Sequence, residues 1–271
     1  EDLLRLHPAA PLLRVAALLY PCAVVSGRSR ADLGPRLEGV PLLAFVGNHG
    51  AEAGFGQVDR GPRPAVEAWS ERLAAALGGA PGIEIEDKGL SIAIHYRRAP
   101  DQEEAERRVR AAAEALEGVR VFGGHAVVNV APSGAPGKGA AVAQLLARIG
   151  PRKVLYVGDD VTDEDAFASG SVAVPVRVGR AEGSAARFYL AGQREVDELL
   201  QVLHHVATDV PGRDLALLAE TTDHLDELLA PLLGQLRDRQ PDRLPVVGRG
   251  EPQVGLEDRL LDRLDLRDIV R

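Results

Sequence analysis

The chain has 271 residues, 45% of them hydrophobic and 27% charged, with a formal net charge of −8. That balance describes a globular chain of one large domain or two smaller ones and argues against a general nucleic-acid binder. A single cysteine, Cys22, excludes an intramolecular disulfide, and no stretch nears the ~20 apolar residues of a membrane span or resembles a signal peptide. A cytoplasmic location is the resulting expectation, with no membrane and no nucleic acid as partner.

The chain contains no methionine and opens on Glu1 with no strand before its first helix. Residues 11–19 read as that helix, with apolar positions at 12, 13, 15, 16 and 19. It feeds a short strand, 23–25, that ends in Ser26-Gly27-Arg28-Ser29. A second strand, 42–46, ends in Gly47-Asn48-His49-Gly50-Ala51-Glu52. Small, polar and basic groups at two strand ends suit pieces of one site. For Ser26 a second role is open, as the cap of a helix that starts after Ser29.

Residues 65–77 form an amphipathic helix with Val66, Trp69, Leu73 and Leu77 on one face. Residues 83–85 and 90–96 alternate apolar and polar across Asp87-Lys88-Gly89, a hairpin pattern. Glu86 and Lys88 then point to one face, as a sugar-binding pair or as an ordinary exposed ion pair. His95 alternates with Ile92 and Ile94 and faces solvent or core. A charged helix over 101–116 and strands 119–122 and 126–130, joined by Gly123-Gly124, complete a smaller α+β module within an α/β frame.

The loop 132–139 carries one lysine, Lys138, at the start of a helix over 140–149. A cation there opposes the helix dipole, so Lys138 suits a phosphate or carboxylate partner. Gly139 stands where a P-loop needs Ser or Thr. Residues 154–157 read as a buried parallel strand, after which Gly158 is followed by Asp159, Asp160 and Asp163. Carboxylates packed at the carboxyl end of such a strand repel one another unless a cation such as Mg²⁺ lies among them. Helix capping by Thr162, with Asp163 in the first turn, is the competing account. A buried strand at 172–178 and a helix at 195–206 close the core. Leucine stripes at 225–236 and 256–264 read as packing surfaces, with Pro231 interrupting the first.

In combination, VVSGRSRADL (24–33), VGNHGAE (46–52), DKGLSIAIHYR (87–97), Lys138-Gly139, GDDVTDEDAF (158–167) and SAARFYL (184–190) resemble the trehalose-6-phosphate phosphatase family of the haloacid dehalogenase superfamily. The resemblance covers about residues 8–206. It implies a Rossmann-like core (1–60 plus 131–206) and an inserted α/β cap (61–130), while residues 207–271, outside the resemblance, read from their leucine stripes as a helical extension of unknown role or an oligomer contact. It implies Mg²⁺-dependent hydrolysis of trehalose 6-phosphate, in which an aspartate of a DxDGT segment attacks phosphorus and its neighbour two residues on is general acid and base.

On this chain the family's roles fall as follows. Asp159 would be the direct metal ligand and Asp163 its outer partner, with Asp160 a further candidate. Ser26 would bond phosphoryl oxygens and Lys138 would neutralise developing charge. Arg28, Asn48, His49, Glu86, Lys88 and Arg97 would contact the sugar, and Asn129 stands where many members carry an acid. No DxDGT-like segment occurs in residues 1–271, and Asp2, followed two residues on by Leu4, does not replace it. The family layout puts that segment just upstream of Glu1, so this chain by itself is expected to be inactive. A pseudophosphatase that binds sugar phosphates without turnover, and a phosphatase for another sugar phosphate, are the alternatives.

Overall fold

The computed structural model describes residues 9–52, 63–124 and 126–208. The leucine stripes and nearly all of the expected extension at 207–271 lie outside the described residues.

Helix α1 (Ala9–Leu19) leads to strand β1 (Ala23–Val25), then α2 (Arg30–Arg36) and β2 (Ala44–Val46). β1 and β2 pair in parallel, Ala23 opposite Ala44. The cap of α2 is Ser29, whose side chain accepts from the Asp32 amide at 3.2 Å. Ser26 is therefore not the cap, because it lies a turn too early; its Oγ accepts the Arg28 amide at 3.2 Å instead.

The second module opens with α3 (Arg63–Leu77) and continues through β3 (Glu84–Asp87), β4 (Ile92–His95), α4 (Gln102–Glu114), β5 (Val119–Gly124) and β6 (Val127–Pro132). Its four strands form one antiparallel sheet in the order β3-β4-β6-β5. Gly123 and Gly124 are not the turn the sequence suggests. They belong to β5, opposite Val128 and Val127.

The sheet register sorts its side chains. Ile85, Ile94 and Val128 lie on one face, as do Ile92, Val130 and Val121, and these pack with Val66, Trp69 and Leu73 of α3 and Val109 and Ala113 of α4. The opposite face carries the transverse row Glu86, Ala93, Asn129, Phe122. Arg120 falls on that face too, two residues before Phe122, opposite Ala131.

The chain then returns to the first module with α5 (Lys138–Ile149), β7 (Leu155–Gly158), the short α6 (Glu164–Phe167), β8 (Val174–Val178), β9 (Phe188–Leu190) and α7 (Gln193–Thr208). β7, β8 and β9 form a parallel three-stranded sheet. Pro175 is tolerated inside β8 because its nitrogen faces the β9 side, where β9 has not yet begun; its carbonyl accepts the Arg187 amide there. Helix α7 packs on β8 and β9 through Leu199 and Leu203, and the Tyr20 hydroxyl donates to the Leu203 carbonyl at 2.9 Å.

β7 departs from the expected buried strand. Val157 is 36% exposed and Leu155 and Tyr156 are only partly covered, because β7 is an edge strand among the described residues. The acidic turn also starts differently. Asp160, not Thr162, is its cap: Asp160 and Asp163 form a reciprocal capping box around a 3-10 turn at Val161–Asp163. Asp160 wins because its carboxylate reaches both the Val161 amide and the Thr162 hydroxyl.

Candidate active site

Three loops and one cap face meet where the two modules adjoin. From the acidic loop comes Asp163, whose side chain is only 4% exposed. Its Oδ1 accepts from Lys138 Nζ and from the Tyr156 hydroxyl, each at 2.7 Å, and its Oδ2 accepts the Asp160 amide at 2.9 Å. Gly158 is required at the strand end, since a Cβ there would lie 2.3 Å from the Asp163 carboxyl carbon. Tyr156 is held edge-on to Phe167 with ring centroids 5.7 Å apart. Burial, then the neighbouring Asp163 charge, drives its phenol far above the usual range, so it remains a hydrogen-bond donor.

Lys138 is the first residue of α5 and is nearly buried, at 7% side-chain exposure. Gly137 caps that helix without a side chain, and Asp165 of α6 accepts the Gly139 amide at 2.9 Å, supplying the missing cap from across the fold. Asp159 is exposed, and its carboxylate has no hydrogen-bond partner among the described residues. Asp160 is occupied with capping. Among the described residues no group of three or more His, Cys, Asp and Glu side chains is arranged to hold a metal ion.

The loop after β2 turns through two left-handed residues, Asn48 (φ 48°) and His49 (φ 56°). Asn tolerates that conformation, but for His it carries strain that the surroundings must hold. Gly27 makes room: a Cβ on it would sit 2.4 Å from the imidazole. His49 is buried, and both its ring nitrogens lack hydrogen-bond partners among the described residues. Burial first, then the charges of Lys138, Lys88 and Arg120, hold its pKa down to about 3, against a smaller opposing pull from Asp163. The ring is therefore neutral at physiological pH and offers one donor and one acceptor.

The antiparallel module meets these loops. The Asn48 amide donates to the Lys88 carbonyl at 3.2 Å, Ser91 Oγ donates to Asn48 Oδ1 at 2.8 Å, and Lys88 Nζ donates to the Gly27 carbonyl at 3.2 Å. Lys88 is thus buried in the seam, which pulls its pKa below the ordinary value while Glu86, 3.9 Å away, opposes the shift. Glu86 also contacts His95 Nε2 at 2.9 Å, a diagonal contact, since the residue opposite His95 in the ladder is Glu84. Phe122 meets the His49 ring edge-on at 4.9 Å, and the Arg120 guanidinium stacks 5.1 Å from the centre of Phe122.

Of the residues picked from sequence, Ser26, Asn48, His49, Lys88, Lys138 and Asp163 come together around this seam, and Glu86 and Asn129 lie on the cap face that meets it. Asn129 is buried in the middle of that face. Arg28 is drawn towards α2, where its guanidinium pairs with Asp32 at 2.7 Å. Arg97 is exposed on the turn beyond β4. Sequence reasoning missed Tyr156, Ser91, Phe122 and Arg120. For the cap residues a signal existed, since the period of two puts Arg120 and Phe122 on the face of Asn129.

With this geometry in hand, the comparisons are direct. The family profile described as trehalose-phosphatase matches residues 11–193. A Mycobacterium tuberculosis protein described as an uncharacterized glycosyl hydrolase is 36% identical over 178 residues, 59% of this chain and 13% of that one. The trehalose-phosphate phosphatase of M. tuberculosis is 32% identical over 225 residues, 76% of this chain and 57% of that one. This chain thus spans little more than half the length of the curated phosphatases it matches. In fold it is similar to the C-terminal domain of Candida albicans trehalose-6-phosphate phosphatase, with a TM-score of 0.65, 23% identity, and coverage of 76% of this chain and 88% of that one. The profile spans well over half of the residues and includes the seam and the acidic loop, and so the chain belongs to the trehalose-phosphatase family.

Proposed function

We propose that this protein acts in the hydrolysis of trehalose 6-phosphate to trehalose and phosphate, with Mg²⁺ as cofactor. The observation that carries the reading is the buried Lys138–Asp163 pair facing a cap seam lined with neutral and cationic hydrogen-bonding groups. Asp163, itself fixed by the Tyr156 hydroxyl, holds the Lys138 ammonium in one place, so its charge is pre-aimed at the oxygens of a phosphoryl group. Ser26 Oγ, at the end of β1, adds a donor to the same oxygens. Neutral His49 and the amides of Asn48 and Asn129 match sugar hydroxyls, which both donate and accept. Lys88 and Glu86 supply the charged edge of that pocket.

Mg²⁺ is commonly held by one or two carboxylates together with waters and substrate phosphate. Exposed Asp159, whose carboxylate has no hydrogen-bond partner among the described residues, fits such a ligand, while Asp163 and Asp160 order the loop that carries it. When bound, the ion screens phosphate charge and polarises the phosphoryl oxygens. The attacking carboxylate is that of the family's DxDGT segment, which residues 1–271 do not contain.

The test is phosphate release from trehalose 6-phosphate by the protein at its full natural length, with Mg²⁺ and with a chelator, beside sucrose 6-phosphate and glucose 6-phosphate. Selective, Mg²⁺-dependent release is expected; no turnover on any of the three overturns the proposal.

A further inference from the structure

The acidic loop is held from behind by a residue outside every motif above. Arg177 lies on β8 opposite Gly158, the last residue of β7, and is only 6% exposed. Beyond Gly158 the β7–β8 ladder ends, leaving the next carbonyls without strand partners. The guanidinium takes both: Nη2 donates to the Asp159 carbonyl at 3.0 Å and Nη1 to the Asp160 carbonyl at 3.1 Å. Nη1 also donates to Glu164 Oε1 at 2.7 Å. Glu164 in turn accepts from Ser184 Oγ and the Ala185 amide, each at 2.8 Å.

From this we infer that Arg177, neutralised by Glu164, is a positioning residue for the Asp159–Asp160 loop, acting on a cation-binding role that rests on the function proposed above. The planar fork can span two successive carbonyls and fix the direction in which the Asp159 side chain leaves the backbone. A lone guanidinium under this loop would repel a bound cation. Glu164 cancels that charge, so the pair orients the loop without opposing the ion.

Simple electrostatics and loop orientation predict opposite effects of Arg177 on a bound cation. Removing a nearby positive charge should strengthen cation binding; losing the orientation of Asp159 should weaken it. The probe is Mn²⁺, followed by electron paramagnetic resonance with Mg²⁺ as competitor, on the parent protein, Arg177→Gln, Arg177→Lys, Glu164→Gln and the double variant Arg177→Gln/Glu164→Gln. Arg177→Gln is expected to weaken Mn²⁺ binding about 10- to 100-fold, the range for groups that orient a metal ligand. Arg177→Lys should recover little of it, since one ammonium does not reproduce the fork. The double variant should lose no more than Arg177→Gln alone, because both act through one arrangement.

Hydrogen exchange gives a readout that needs no metal. In Arg177→Gln the Asp160 amide should exchange at least about tenfold faster while the amides of α7 keep their protection, as expected for a local opening. Mn²⁺ binding as tight as the parent's or tighter, or exchange that rises equally in α7, overturns the inference. If the parent itself binds no Mn²⁺, the cofactor reading fails and the exchange at Asp160 alone decides the role of Arg177. Should Arg177→Gln not fold, Arg177→Lys and Glu164→Gln carry the same measurements.

Discussion

The cap sheet and the acidic loop are built on opposite terms. In the cap, four antiparallel strands put apolar residues on one face and Glu86, Asn129, Phe122 and Arg120 on the other, so the site side chains stand on a rigid floor of buried Ile and Val. In the acidic loop nothing is repeated. Each carboxylate of Gly158–Asp163 has its own environment: Asp159 open, Asp160 engaged in a cap, Asp163 buried against Lys138 and Tyr156. Damage to the floor should therefore cost stability first, and damage to the loop should cost chemistry first.

The largest effect is expected at Lys138. Lys138→Ala leaves Asp163 buried with the Tyr156 hydroxyl and the Asp160 amide as its remaining partners, and breaking a buried pair costs about 3–5 kcal/mol. Under the proposed function, turnover by the protein at its full natural length should fall at least ~10²-fold, the scale for loss of one electrostatic stabiliser. Urea unfolding and phosphate release together would check both. Next is the cap floor: Ile94→Ala should destabilise by about 2–5 kcal/mol. Under the proposed function, turnover of the remaining folded protein should respond to Mg²⁺ as the parent's does; a selective loss of kcat instead would break the contrast.

Smaller effects sharpen the comparison. Arg120→Ala, on the site face of the cap, is expected to raise KM for trehalose 6-phosphate about tenfold with little change in melting temperature, read from steady-state kinetics and a thermal scan. His49→Asn suits the left-handed backbone and removes a titration. With the folded His49 pKa near 3, below its unfolded value, the unfolded chain binds more protons between them. Its contribution to stability is thus present above pH ~6.5 and is lost as pH falls towards 3. Within that window the parent should lose stability more steeply than His49→Asn, by up to about 1.4 kcal/mol per pH unit. Equal slopes in urea titrations at pH 4–6 would refute this.

The difference also explains what could be read from sequence. The cap sheet, its helices and the face carrying Glu86, Lys88 and Asn129 follow from a period of two, which survives without knowledge of contacts. The two strand-end loops bearing Ser26 and Asn48-His49 were visible because polar residues directly follow apolar runs. Tyr156 was hidden inside a run that reads as core, although its hydroxyl reaches Asp163. Arg177 was hidden likewise, in a strand that reads as buried. Which residue caps which turn, Ser29 rather than Ser26 and Asp160 rather than Thr162, is decided by reach over a few ångströms and leaves no trace in composition. The exposure of Val157 depends on which strands pair with β7, a tertiary fact.

Among the described residues, the seam between the two modules is crossed by the hydrogen bonds of Asn48 to Lys88, Ser91 to Asn48 and Lys88 to Gly27, with the His49–Phe122 ring contact beside them. Parting such a seam uncovers polar groups that water solvates readily and very little hydrocarbon. The heat capacity change of opening is then small, because that quantity grows with apolar area exposed. Any parting of the two modules should accordingly depend only gently on temperature, while the folding of either module keeps the strongly curved temperature dependence of a buried core.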